Sequence, residues 1–109
     1  MFLFKPEHVL KILNDEKTQT RRIWKKNRAN VGSIHQARTE LFGKPFAHLK
    51  VIKRFDERLG DISPIDCIKE GYTSIIDYKN IWIKINGSWN PDLIVAVVEF
   101  VRMVKSDKK

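Results

Sequence analysis

One cysteine, Cys67, occurs in the 109 residues, so the chain can form neither an internal disulfide framework nor a Cys-based zinc site, both of which need several thiols at set spacings. That scarcity fits a reducing, cytoplasmic setting. The three histidines, His8, His35 and His48, lack the spacing of a ligand set, and no His-Glu-x-x-His occurs, so neither a metal nor a cofactor is expected. Gly32, Gly43, Gly60, Gly71 and Gly87 are scattered, which excludes a P-loop and a dinucleotide fingerprint. No apolar run approaches the ~18 to 20 residues that span a bilayer, so no membrane span is expected. The opening Met1-Phe2-Leu3-Phe4 meets a charge at Lys5, too soon for an export signal.

Apolar residues make up 42% of the chain, enough for one core without covalent staples. A chain of this length buries roughly two-thirds of the surface its unfolded form exposes. A single domain over residues 1–104 is expected, followed by a solvated basic tail at 105–109.

The hydrophobic pattern orders the elements. Phe2 to Phe4 reads as a strand and Pro6 to Asp15 as a helix, with proline in the first turn where its missing N–H costs nothing. Thr18 to Trp24 and Ile34 to Thr39 read as strands separated by a polar loop and the turn Val31-Gly32-Ser33. Phe46 to Phe55 alternates as a longer strand, with an end or bulge at Arg58-Leu59-Gly60. Ser63-Pro64-Ile65-Asp66 and Ser74-Ile75-Ile76-Asp77 are capping boxes, each opening a helix; the first stops at Glu70-Gly71 and the second at Asn86-Gly87. Leu93 to Val101 is an almost unbroken β-branched run, suited to a buried central strand. Strands clustered mid-chain, with a last one returning after two helices, favour an α+β fold, a small mixed β-barrel with flanking helices.

Charge is distributed unevenly. Lys and Arg number 21 against 13 Asp and Glu, a net charge of +8, yet residues 17 to 39 hold no acid at all. That stretch carries Lys17, Arg21, Arg22, Lys25, Lys26, Arg28 and Arg38, with Trp24 among them. Clustered cations with an aromatic are how a single-stranded nucleic acid or a nucleotide is held, while the plainer alternative is a solvated basic loop. Within Lys17-Thr18-Gln19-Thr20-Arg21-Arg22, strand alternation puts Thr18, Thr20 and Arg22 on one face and Gln19 and Arg21 on the other. Trp82 falls at core spacing, and Trp89 lies in a turn where packing outweighs base stacking.

These residues resemble a known family. Lys5-Pro6 with the helix after it, the run Glu16 to Arg22, Val31-Gly32-Ser33 and the closing Val97-Val98-Glu99-Phe100 are together similar to the ASCH domains of the PUA-like superfamily, over nearly the whole chain. The family signature, approximately G-x-K-x-x-T-x-R, is matched at Lys17, Thr20 and Arg22, with Asp15 in place of the glycine. A glycine there permits a left-handed turn, which Asp tolerates better than most residues. The resemblance implies a PUA-like β-barrel with flanking helices and a cleft that takes RNA, a nucleotide or a nucleoside.

One branch of the family removes the acetyl group from acetylcytidine. Carried over, Lys17 would activate the Thr20 hydroxyl, Thr20 would attack the acetyl carbonyl, and Glu70 would hold the amine or handle the proton. A Lys17–Glu70 ion pair ordering the cleft mouth is the simpler use of the same residues. The leading expectation is a binding domain whose basic cleft is formed by Lys17, Thr20, Arg21 and Arg22, with Glu70 and with Trp24, Lys25, Lys26, Arg28 and Arg38 nearby. The amidohydrolase is the alternative, and a protein-interaction module with its basic face toward an acidic partner is a third.

Overall fold

A computed structural model describes residues 1–104; the expected tail at 105–109 lies outside the described residues. The elements in chain order are β1 (Phe2–Leu3), a 3-10 turn (Pro6–His8) running into α1 (Val9–Leu13), β2 (Gln19–Arg22), β3 (Ile34–Arg38) and β4 (Ala47–Arg58). A second 3-10 turn (Leu59–Asp61), α2 (Pro64–Lys69), α3 (Ile75–Asn86) and β5 (Ile94–Arg102) complete them. All five strands join one sheet in the order β1-β3-β4-β5-β2. The β1–β3 pair is parallel and the other three pairs are antiparallel, which makes the sheet mixed. Its two edge strands come back toward each other: Arg22 Nη2 on β2 donates to the Leu3 carbonyl on β1 at 2.8 Å. The result is a half-barrel with an open seam between β2 and β1.

The β-branched run of β5 is explained by burial on both faces. Val98 and Phe100 point into the barrel interior with Phe2, Phe4, Ile12, Leu49 and Val51. Val95 and Val97 point the other way, into a second core with Leu59, Ile62, Cys67, Tyr78 and Trp82 beneath α2 and α3. A strand sandwiched between two apolar layers has no polar face to show. Trp89 packs edge-on to Tyr78 at the margin of this second core.

Several elements differ in detail from the pattern reading. The first helix is shorter than Pro6 to Asp15, because its opening residues wind as a 3-10 turn before α1. β4 does not end at Phe55; it continues to Arg58 because Lys53–Arg58 stay in register with Glu99–Ile94. Of the end or bulge expected at Arg58 to Gly60 the end is found, since β4 stops at Arg58 and a turn follows; the bulge lies instead between Val51 and Lys53, where the register shifts and Ile52 is left exposed. Ser63 and Ser74 cap α2 and α3 as expected, accepting from the N–H groups of Asp66 and Asp77. The acids do not complete the boxes, since Asp66 turns its carboxylate to Arg21 and Asp77 accepts from Thr73.

Candidate functional site

The seam between β2 and β1 opens into a cavity of about 480 Å³, walled on its far side by α3 and floored by the end of α2. Lys17, Thr20, Arg21, Arg22 and Glu70 all line it. The turn that delivers Lys17 passes through Asp15 at φ 60°, the left-handed conformation that a signature glycine would take most easily. The N–H groups of Glu16 and Lys17 both bond the Lys11 carbonyl, and Thr18 N–H bonds the Lys69 carbonyl, so the approach to β2 is pinned to α1 and α2.

Lys17 is buried, and its ammonium is surrounded. Nζ donates to the Glu70 carbonyl at 2.7 Å, to Glu70 Oε1 at 3.0 Å and to the Gln19 carbonyl at 3.1 Å. Three acceptors account for the three N–H bonds of the charged form. Burial pushes the Lys17 pKa down, the Glu70 carboxylate works against that, and Arg22 and Lys11 add to the lowering. The ion pair with Glu70 thus forms, and none of the three donors is directed at Thr20.

Arg21 lies on the other face of β2, as alternation requires, among acids. Nη1 donates to Glu70 Oε2 at 3.0 Å and to Gln19 Oε1, while Nη2 donates to Glu57 Oε1 at 2.8 Å and Asp66 Oδ2 at 3.1 Å. Burial opposes its charge, but Glu70 and Glu57 outweigh it and hold the guanidinium above its ordinary pKa. Arg22 is different. Its Nε donates to Thr20 Oγ1 at 3.1 Å and its Nη2 to Leu3, and it lies over the rings of Phe4 and Phe2 at 5.1 and 5.7 Å. Among the described residues no carboxylate pairs with it, and burial lowers its pKa against the pull of Glu70 and Tyr78.

His8 and Tyr72 complete this side of the cavity, with Nε2 and the phenol oxygen 2.6 Å apart. Burial, with Lys17 and Lys11 nearby, lowers the His8 pKa to about 4, while burial and Glu70 push Tyr72 up to about 12. Neither His8, Tyr72 nor Tyr78 is marked by the sequence as a site residue: the first lies in a proline-led turn without a motif, and Tyr78 shares the apolar stripe of Trp82. Among the described residues no group of three or more His, Cys, Asp or Glu could hold a metal ion, and no helix is long and apolar enough to cross a membrane.

The acid-free stretch is not gathered into this cavity as one basic cleft. Trp24 stacks on Phe2 at 6.2 Å, packs against the barrel core and carries Arg54 over its ring. Lys25, Lys26 and Arg28 are exposed on the loop after β2, outside the cavity lining. Arg38 is half-buried and spends its donors on Gln36 and the Leu41 carbonyl. The reason is chain direction: β2 leads out of the seam at Arg22, and the loop carries the later cations away from it.

No family model matches the sequence, and no curated protein matches it. The likeness to known proteins is one of structure. An ASCH domain from Lactobacillus crispatus superposes with a TM-score of 0.69 over 86% of this chain and 69% of its own, at 15% identity. A DUF984 protein from Enterococcus faecalis does so with a TM-score of 0.67 over 88% of this chain and 69% of its own, at 12% identity. At such identities the likeness is of fold, and the chain has the ASCH-like fold, an α+β half-barrel with flanking helices.

Proposed function

We propose that this chain is a binding domain for RNA or a nucleotide-type ligand, which places one base in the seam cavity and its phosphate near Arg22. The observation that carries the reading is Arg22 itself. Lys17 and Arg21 are compensated by Glu70, Glu57 and Asp66, whereas Arg22 stands at the cavity with no acid paired to it among the described residues. A desolvated cation without a counter-charge is costly, and an anionic ligand group supplies what the protein does not. The volume lies within the usual range for small-molecule pockets, about 300 to 1,000 Å³. Phe4, Tyr72, Tyr78 and Trp82 offer the apolar walls a base needs. The ASCH-like fold supports the same class of ligand.

Titration of the protein with nucleoside monophosphates and short single-stranded RNA across a salt series tests this. Saturable binding that weakens with salt, and that Arg22→Ala lowers at least tenfold, is the expected result. Affinity indifferent to salt and to Arg22→Ala would refute the reading.

A second reading rests on Lys17, Thr20 and Glu70 lining one cavity. In an acetylcytidine amidohydrolase, Thr20 Oγ would attack the acetyl carbon, cytidine would leave with its amine protonated, and water would release acetate. Lys17 would have to lose its proton first; burial favours that loss, and the three acceptors around Nζ oppose it. Cytidine release from acetylcytidine, abolished in Thr20→Ala with the fold intact, would establish it.

A further inference from the structure

Two hydrogen-bonding groups at the cavity have no partner among the described residues, and neither reading above uses them as hydrogen-bonding contacts. The first is the main chain of Arg21. Phe100 N–H donates to the Thr18 carbonyl, so in the β2–β5 ladder that carbonyl and the peptide groups of Thr20 and Arg22 turn toward β5. Those of Gln19 and Arg21 therefore turn to the free edge, toward the seam. The Gln19 carbonyl is taken there by Lys17, which confirms the direction, but nothing bonds the N–H or C=O of Arg21. The Arg21 side chain is 0% exposed while the residue as a whole is 4% exposed, so what Arg21 shows to the cavity is its backbone.

The second group is the Tyr78 hydroxyl. Tyr78 lines the cavity from α3 and is 3% exposed. Its neighbours in the same wall are satisfied, Tyr72 by His8 and Thr20 by Arg22, yet the Tyr78 oxygen makes no hydrogen bond. No fully sealed side-chain N or O atom lacks a partner among the described residues, so this oxygen keeps some accessible surface, and the cavity supplies it. It lies close enough to Glu70, Arg21 and Arg22 to feel their charges. Burial raises its pKa, so the phenol stays protonated and able to donate. A buried polar group without a partner is costly in an empty site and useful in an occupied one.

We propose that the Tyr78 hydroxyl and the free Arg21 peptide are the groups that read the ligand's ring edge. Together they present two donors, Tyr78 O–H and Arg21 N–H, and one acceptor, the Arg21 carbonyl. The complementary edge has two acceptors and one donor, as uracil offers with O2, O4 and N3–H and cytosine with O2, N3 and its exocyclic amine; adenine offers one acceptor and one donor on its pairing edge. This rests on the base-binding reading and adds to it a preference for pyrimidine over purine set by two named residues.

The test uses the full chain, with CMP, UMP and AMP as probes and the variants Tyr78→Phe and Tyr72→Phe. Tyr78→Phe removes one oxygen that no protein group bonds, so the ligand-free melting temperature is expected to stay at the wild-type value, whereas Tyr72→Phe, which strands His8, lowers it. Binding of CMP to Tyr78→Phe is expected to be about fivefold to tenfold weaker, the value of one uncharged hydrogen bond. In the wild type, the Arg21 amide resonance is expected to shift at CMP saturation. Tyr78→Phe melting as low as Tyr72→Phe, or binding CMP like the wild type, would overturn the assignment, as would AMP binding as tightly as CMP or a stationary Arg21 amide. Failure of all three probes to bind the wild type would instead overturn the base-binding reading, and this inference with it.

Discussion

Replacing Glu70 by Gln is the sharpest probe of how the site is held. The carboxylate is buried and receives Lys17 Nζ on one oxygen and Arg21 Nη1 on the other, both at 3.0 Å. The two cations are not equally dependent on it. Arg21 would keep Glu57 and Asp66, whereas Lys17 would keep only the carbonyls of Gln19 and residue 70. The amide of Gln can accept one of the two bonds, but its NH2 then faces a cation. Removing one member of a buried ion pair typically costs about 3 to 5 kcal/mol, because the remaining charge stays buried without compensation. A domain of this size shifts its melting temperature by about 4 °C per kcal/mol, so Glu70→Gln should melt on the order of 12 to 20 °C lower at neutral pH.

The pH dependence separates this account from simple loss of packing. Lys17 has a folded pKa below its unfolded value of about 10.4, so between those two pH values the unfolded state binds the extra proton and stability rises with pH. Without Glu70 the folded pKa falls further, and the rising window opens at a lower pH. The deficit of Glu70→Gln relative to wild type should therefore shrink between pH 6 and pH 9.5. Urea unfolding followed by circular dichroism at several pH values measures it. A deficit below about 1 kcal/mol, of the size an exposed pair gives, or one constant over that range, would mean that Glu70 does not compensate a buried Lys17 charge.

Other expectations follow from single contacts. His8, held neutral down to about pH 4 in the fold, takes up a proton more readily when unfolded, so wild-type stability should fall as pH drops from about 6.5 to 4; in His8→Gln that part of the acid slope should be missing, as acid titration by tryptophan fluorescence will show. A Cβ at Gly60 would sit 2.7 Å from Pro91 Cβ and 3.1 Å from Pro91 Cα, so Gly60→Ala should cost about 1 to 3 kcal/mol in urea denaturation, and a variant as stable as wild type would contradict the contact. Lys25→Ala and Arg28→Ala, exposed on the loop beyond Arg22, should each reduce the salt slope of RNA binding by about 1 without changing base preference. Altered base preference in either would place the loop at the base, contrary to its position outside the cavity.

Local rules made most of the elements legible. The serine caps, the helical stripe of Tyr78 and Trp82 and the apolar run of β5 each follow from spacing that one element enforces on itself. Even the left-handed turn at Asp15 could be anticipated, because a signature glycine and an Asp share that region of backbone space. What spacing could not convey was where chain segments far apart in sequence meet. Asp66 reads as half of a capping box and in fact serves Arg21, a residue 45 positions earlier. His8 and Tyr72, 64 positions apart, carry no mark of the bond they share.

The charge pattern misleads for the same physical reason. A stretch with seven cations and no acid predicts a positive face, but a sequence window counts charges without their partners. Folding brings Glu57, Asp66 and Glu70 from later in the chain onto Lys17 and Arg21, and the loop takes Lys25, Lys26 and Arg28 out to solvent. What is left at the cavity among the described residues is the Arg22 guanidinium and the exposed Lys5 ammonium without an acid, and Arg22 is also the group that bridges the open seam through Leu3. Arg22 thus bonds one edge strand to the other and supplies an uncompensated charge at the cavity. An anion arriving there would draw on the same side chain that keeps β1 and β2 together, so binding should stiffen the seam. Amide exchange at Leu3 and Arg21, compared with and without bound nucleotide, should slow together; independent behaviour at the two edges would mean that the clasp and the charge are separate functions of one residue.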